Sequence, residues 1–91
     1  MISEQEKKII VTCAEKYNAS EVLLFGSSVE GGQKARDIDL GVKGVEKRMF
    51  FKFYGELVKR LSKPVDLVDL SQKCLFNDLI EETGVKIYGW R

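Results

Sequence analysis

The sequence predicts an α/β or α+β domain, a few strands with helices packed against them, and three observations carry that expectation. The hydrophobic period alternates along the chain, helical near residues 4–17, 46–61 and 75–83 and strand-like near 22–25, 38–42, 65–70 and 85–88. Punctuating residues separate these stretches: Asn18-Ala19-Ser20, Gly26, Gly44, Pro64 and Gly84. The totals suit one compact domain over residues 1–91, since 44% of the residues are hydrophobic and five are Phe.

The elements follow in order. Ser3-Glu4-Gln5-Glu6 is a capping box, so a helix begins there, with Ile9, Ile10, Cys13, Ala14 and Tyr17 on one apolar face. Val22-Leu23-Leu24-Phe25 is too short and too uniformly apolar for a surface helix and reads as a strand buried on both faces. Ile38, Leu40 and Val42 alternate with Asp37, Asp39 and Gly41, which makes a second strand with one apolar face. A long helix is expected over 46–61, with Phe50, Phe53, Tyr54, Leu57, Val58 and Leu61 as its core stripe and Phe51 exposed beside it. Lys63-Pro64 ends it, because a residue before proline avoids helical angles. Val65 to Leu70 is a third strand. Leu75, Phe76, Leu79, Ile80 and Thr83 mark a further amphipathic helix closed by Gly84, and Val85 to Tyr88 alternate as an edge strand.

Composition excludes several classes. There is no His, which removes His-based acid–base chemistry and every Ser-His-Asp or Cys-His arrangement. Cys13 and Cys74, placed on helical apolar faces, are read as reduced core residues. No apolar run approaches the ~20 residues of a membrane helix and no signal peptide opens the chain, so the expectation is cytoplasmic, with no membrane partner. A net charge of +1 makes no strong case for nucleic acid, but charge is uneven. Between Lys43 and Lys63 stand seven basic residues and two acidic ones.

The chemistry concentrates in two places. Phe25-Gly26-Ser27 follows the first strand, and Gly26 allows a sharp turn and a close backbone approach to a ligand. Backbone N–H groups after Ser27 could open a short helix, whose N-terminus attracts phosphate. Further on, Asp37 and Asp39 share a strand face about 6.6 Å apart and can share hard cations. A third carboxylate, Asp66, lies on the face opposite Val65 and Leu67. Asp69, three positions later, points the other way and sits where strands end, as a cap or against solvent. Three carboxylates beside a Gly-Ser turn outline a metal-assisted phosphoryl-transfer site.

At these residues the chain resembles the minimal nucleotidyltransferases, the small branch of the DNA polymerase beta-like superfamily. That family carries an apolar residue, Gly-Ser, a spacer of about ten residues and then Asp-x-Asp. Here the pattern reads Phe25-Gly26-Ser27 and Asp37-Ile38-Asp39-Leu40, and Asp66 matches the third carboxylate. The resemblance implies a mixed, mostly antiparallel sheet of about four strands. It implies that Gly26, Ser27 and Ser28 bind the nucleotide, and that Asp37 and Asp39 hold two Mg²⁺ or Mn²⁺ ions on ATP. Asp66 then completes the metal site facing the incoming hydroxyl and helps accept its proton.

The resemblance also implies a partner, a small all-helical HEPN toxin. The chain would act as its antitoxin by moving AMP from ATP onto a toxin hydroxyl. Docking is expected through Phe51 and the basic residues Lys47, Arg48 and Lys52; self-association stays open. One departure points elsewhere. Relatives carry arginines just after Gly-Ser, whereas this chain has Ser28, Val29 and Glu30, with Lys34 and Arg36 only later. A carboxylate near phosphates is repulsive. The alternative is therefore a binding module that neutralises its partner by contact alone.

Overall fold

The computed structural model describes residues 2–26 and 37–89. In chain order these form α1 (Glu4–Lys16), β1 (Glu21–Leu24), β2 (Ile38–Lys43), α2 (Lys47–Arg60), β3 (Val65–Asp69), α3 (Leu75–Thr83) and β4 (Val85–Gly89). The strands make one sheet in the order β3-β2-β1-β4. β1 runs antiparallel to both β2 and β4, while β2 and β3 are parallel. The expected mixed, mostly antiparallel sheet of four strands is what forms, and β4 lies at an edge. The parallel pair arises because β2 and β3 are joined through α2, long enough to carry the chain back to the strand start.

Sequence signals account for the element ends. Ser3 accepts from the Glu6 N–H while the Glu6 carboxylate accepts from the Ser3 N–H, so the capping box closes as read. α1 stops where Asn18 takes a left-handed φ of 59°. α2 has Glu46 and Leu61 as its flanking caps, two residues short of the Lys63-Pro64 stop. Pro64 instead opens β3, its carbonyl accepting from the Ile38 N–H at 2.9 Å.

The core lies on one side of the sheet. Val22, Leu24, Ile38, Leu40, Val42 and Val65 meet Ile10, Cys13 and Ala14 of α1 and Phe53 and Leu57 of α2. Tyr17 and Phe53 pack edge to face with ring centroids 5.6 Å apart. The α2 stripe is narrower than its spacing predicts, since Tyr54 and Val58 are exposed. One helix face can meet only α1 and the sheet at once, which leaves the outer edge of a six-residue stripe in water.

The other side of the sheet is thinly covered. A small cluster of Leu23, Leu70 and Ile80, with Phe25 and Val68 against it, fixes α3 there. Asn77 is the one buried polar residue among those described, and its amide donates to the carbonyls of Asp69 at 3.1 Å and Gln72 at 2.7 Å. Most of the apolar face expected to bury α3 stays in solvent: Leu75, Phe76 and Leu79 are 88%, 54% and 56% exposed. Cys74 is likewise exposed, as the residue preceding α3, whereas Cys13 is buried as expected. Burial, with the Glu56 carboxylate nearby, pushes the Cys13 thiol up, which keeps it protonated and unreactive.

Candidate functional site at the carboxylate face

Strand alternation sorts β2 into two jobs. Ile38, Leu40 and Val42 are buried in the main core, so Asp39 and Gly41 face the thinly covered side of the sheet. β3 divides likewise, Val65 going to the core and Asp66 to the open side. The parallel register pairs Asp39 with Asp66, neighbours on adjacent strands about 4.8 Å apart. Asp37 stands exposed in the bend leading into β2, beside the Ile38-to-Pro64 hydrogen bond that ties β2 to the start of β3.

Gly26 is the third part. The Phe25 N–H donates to the Asp39 carbonyl at 3.0 Å, continuing the β1–β2 pairing one step past β1. The chain then turns at Gly26 with a φ of +63°. A β-carbon at that position would lie 2.7 Å from Oδ2 of Asp39. Two independent requirements thus select glycine: the left-handed backbone, and an Asp39 carboxylate drawn in against the turn. Ser27 and Ser28 lie outside the described residues, as do Glu30, Lys34, Arg36 and any short helix between Gly26 and Asp37.

Asp69 is different. Its Oδ1 accepts from both the N–H and the hydroxyl of Ser71, an Asx turn that ends β3 and begins the loop to α3. Period two separated it from Asp66, and the strand-end turn accounts for it.

Among the described residues no three His, Cys, Asp or Glu side chains gather closely enough to hold a metal by themselves. The donors are nonetheless of the kind that hard divalent cations take. Mg²⁺ is ordinarily held by one or two carboxylates together with substrate phosphates, not by an all-protein cage. An Asp39–Asp66 register pair, with Asp66 exposed and Asp39 set against a glycine turn, fits that description.

The basic residues stand elsewhere. α2 packs on the opposite side of the sheet from Asp39 and Asp66, so Phe51, 78% exposed, and Lys47, Arg48 and Lys52 belong to the layer behind the carboxylates. Part of that surface is already neutralised. Glu56 pairs with Lys16 at 2.9 Å and Arg60 at 3.1 Å and accepts from the Tyr17 hydroxyl at 3.0 Å. Phe25, read from the sequence as the apolar residue before Gly26, has a contact that sequence reasoning did not foresee: its ring meets Phe76 of α3 edge to face at 6.1 Å and so joins the Gly26 turn to α3.

A mixed four-stranded sheet with carboxylates in register beside a glycine turn defines the nucleotidyltransferase type of α+β protein. The chain belongs to the family described as "Polymerase beta, Nucleotidyltransferase", whose profile it matches over residues 7–90. No curated protein sequence matches it.

Solved structures share the fold at low identity. One is a toxin–antitoxin complex with AMP-PNP, 24% identical, covering 93% of this chain and 74% of that one at a TM-score of 0.76. A second is the MntA–HepT toxin–antitoxin, 20% identical over 97% of this chain and 74% of that one, TM-score 0.73. A third is a tri-AMPylated HEPN toxin of Shewanella oneidensis in complex with its MNT antitoxin, 21% identical over 98% of this chain and 74% of that one, TM-score 0.75. Among the described residues no helix is long and apolar enough to cross a membrane.

Proposed function

We propose that this chain is a single-domain, cytoplasmic antitoxin that transfers AMP from ATP onto a hydroxyl of a helical HEPN-type toxin. The observation that carries the reading is the Asp39–Asp66 register pair, with the Asp39 carboxylate set against a glycine turn that leaves no room for a β-carbon. Family membership and the AMPylated toxin among the similar structures support it.

In this reading Asp37, Asp39 and Asp66 would hold Mg²⁺, which when bound neutralises phosphate charge as a Lewis acid. The toxin hydroxyl oxygen bonds to the α-phosphorus of ATP, the bond from that phosphorus to the bridging oxygen breaks, and pyrophosphate leaves. Asp66, on the exposed edge strand β3, helps accept the hydroxyl proton. Gly26, Ser27 and Ser28 would hold the nucleotide phosphates, as the resemblance implies. Positioning and charge neutralisation supply most of the rate, with no covalent enzyme intermediate.

A second reading is the contact-only antitoxin, favoured by Glu30 standing where relatives have phosphate-binding arginine. Co-expression with a helical HEPN-type toxin, followed by co-purification and intact-mass measurement, separates the two. Toxin mass raised by one or more AMP units, and lost in Asp37→Asn, supports the transferase. Co-purification at unchanged mass supports contact alone, and neither mass change nor association removes both.

A further inference from the structure

We infer that the exposed face of α3 is the docking surface for the acceptor protein, and that the surface it takes is apolar at its centre and basic at its rim. The inference rests on the AMP-transfer reading for the identity of that protein, but its observations are separate.

Leu75 and Leu79 lie four positions apart and Phe76 and Leu79 three, so the three exposed side chains form one continuous patch on the helix. None of the three side chains belongs to either core cluster. Ile80 anchors the helix in the small cluster with Leu23 and Leu70, and the Asn77 amide ties its first turn to the loop from β3. Large apolar side chains left over after the fold is secured mark a contact surface.

Continuity with the carboxylates says what kind of contact. Phe76 touches Phe25, and Phe25 both hydrogen-bonds to Asp39 and precedes the Gly26 turn. A chain seated on α3 therefore has its neighbouring residues delivered to the Asp39–Asp66 pair. A chain seated on α2 would lie behind the sheet, away from it.

Charge completes the argument. Exposed Asp78 and Glu82 border the patch on its Leu75 side and exposed Asp66 lies on the sheet face beyond, with Lys73 an exposed cation just ahead of the helix, while Lys47, Arg48 and Lys52 lie on α2 behind the sheet. An apolar centre bordered by carboxylates complements a basic partner. The partner is thus seated on α3, whereas docking was expected from the sequence at Phe51, Lys47, Arg48 and Lys52 of α2.

The test uses a purified HEPN-type toxin, the acceptor in the proposed function, and measures its affinity by calorimetry. Because the residues are exposed, Leu75→Lys/Leu79→Lys keeps its far-UV circular dichroism and its binding of Mg²⁺-ATP. It should bind the partner at least about tenfold more weakly, whereas Phe51→Lys on α2 stays within about twofold. Asp78→Lys/Glu82→Lys should weaken binding and flatten its salt dependence. Wild-type affinity in the α3 variants, or the loss falling on Phe51→Lys, overturns the proposal. So does a wild-type dimer in sedimentation that the α3 variants dissociate, which would assign the patch to a second copy of this chain. Binding that depends on α3 without any AMP transfer leaves the docking surface standing and removes the transferase reading alone.

Discussion

Replacing Gly26 by alanine should damage the site more than the fold. The backbone there has a φ of +63°, where a side chain costs about 1–2 kcal/mol. The added methyl would meet Oδ2 of Asp39 at 2.7 Å and its Cγ at 3.4 Å, short of ordinary contact with the oxygen by roughly 0.7 Å. The flexible partner is the carboxylate, so Asp39 yields first and the register pair with Asp66 opens. A displacement near 1 Å at a reacting centre costs on the order of 100-fold in rate.

Gly44 provides the control. Its φ is +96° and an added β-carbon would lie 2.7 Å from the Ser20 backbone nitrogen, at the opposite end of β2 from Asp39. Gly44→Ala should therefore cost at least as much stability, with no effect on nucleotide affinity per folded molecule. Urea unfolding gives the stability and calorimetric titration with Mg²⁺-ATP gives the affinity. Wild-type nucleotide affinity in Gly26→Ala, or an equal loss in Gly44→Ala, would refute the reasoning that the missing Cβ belongs to the site.

Other outcomes follow from the same geometry. Asp66→Ala should abolish transfer and leave the urea midpoint unchanged, whereas Asp69→Ala should retain transfer and lose about 1 kcal/mol with its Asx turn; equal transfer in the two variants would contradict their placement. Gly55, mid-helix in α2 with open space around it, should accept alanine with a gain of about 0.5–1 kcal/mol, read as a raised urea midpoint. Glu56 is held below the ordinary carboxylate value of 4.5 by hydrogen bonds from Lys16 first and Tyr17 second. A depressed folded value stabilises above 4.5 and is lost as pH falls through it, so acid unfolding should flatten in Glu56→Gln; an unchanged acid limb would count against this.

How much of this was legible in the sequence varies by element. The capping box of α1, the buried run of β1 and the alternation of β2 each rest on neighbours within a few residues, and each forms as its pattern reads. The division between Asp66 and Asp69 was legible for the same reason, since period two is a property of any strand. The α2 stripe and the apolar face of α3 were over-read. Spacing says which residues share a helix face, but not how wide a partner that face will meet, and so Tyr54, Val58, Leu75 and Leu79 stayed in water.

The sequence by itself determined that Asp39 and Asp66 would each project from an apolar strand, because alternation leaves them no other face. It determined also that a glycine would turn the chain ahead of them. Only the tertiary structure decided that β2 and β3 pair in parallel with those two aspartates in register, and that the Asp39 carboxylate fills the space a β-carbon at Gly26 would need. It alone placed the basic helix behind the sheet and the exposed apolar helix beside the carboxylates. Strand order and register come from contacts between residues far apart in the chain, chosen by how the whole core closes, and no local pattern encodes that choice.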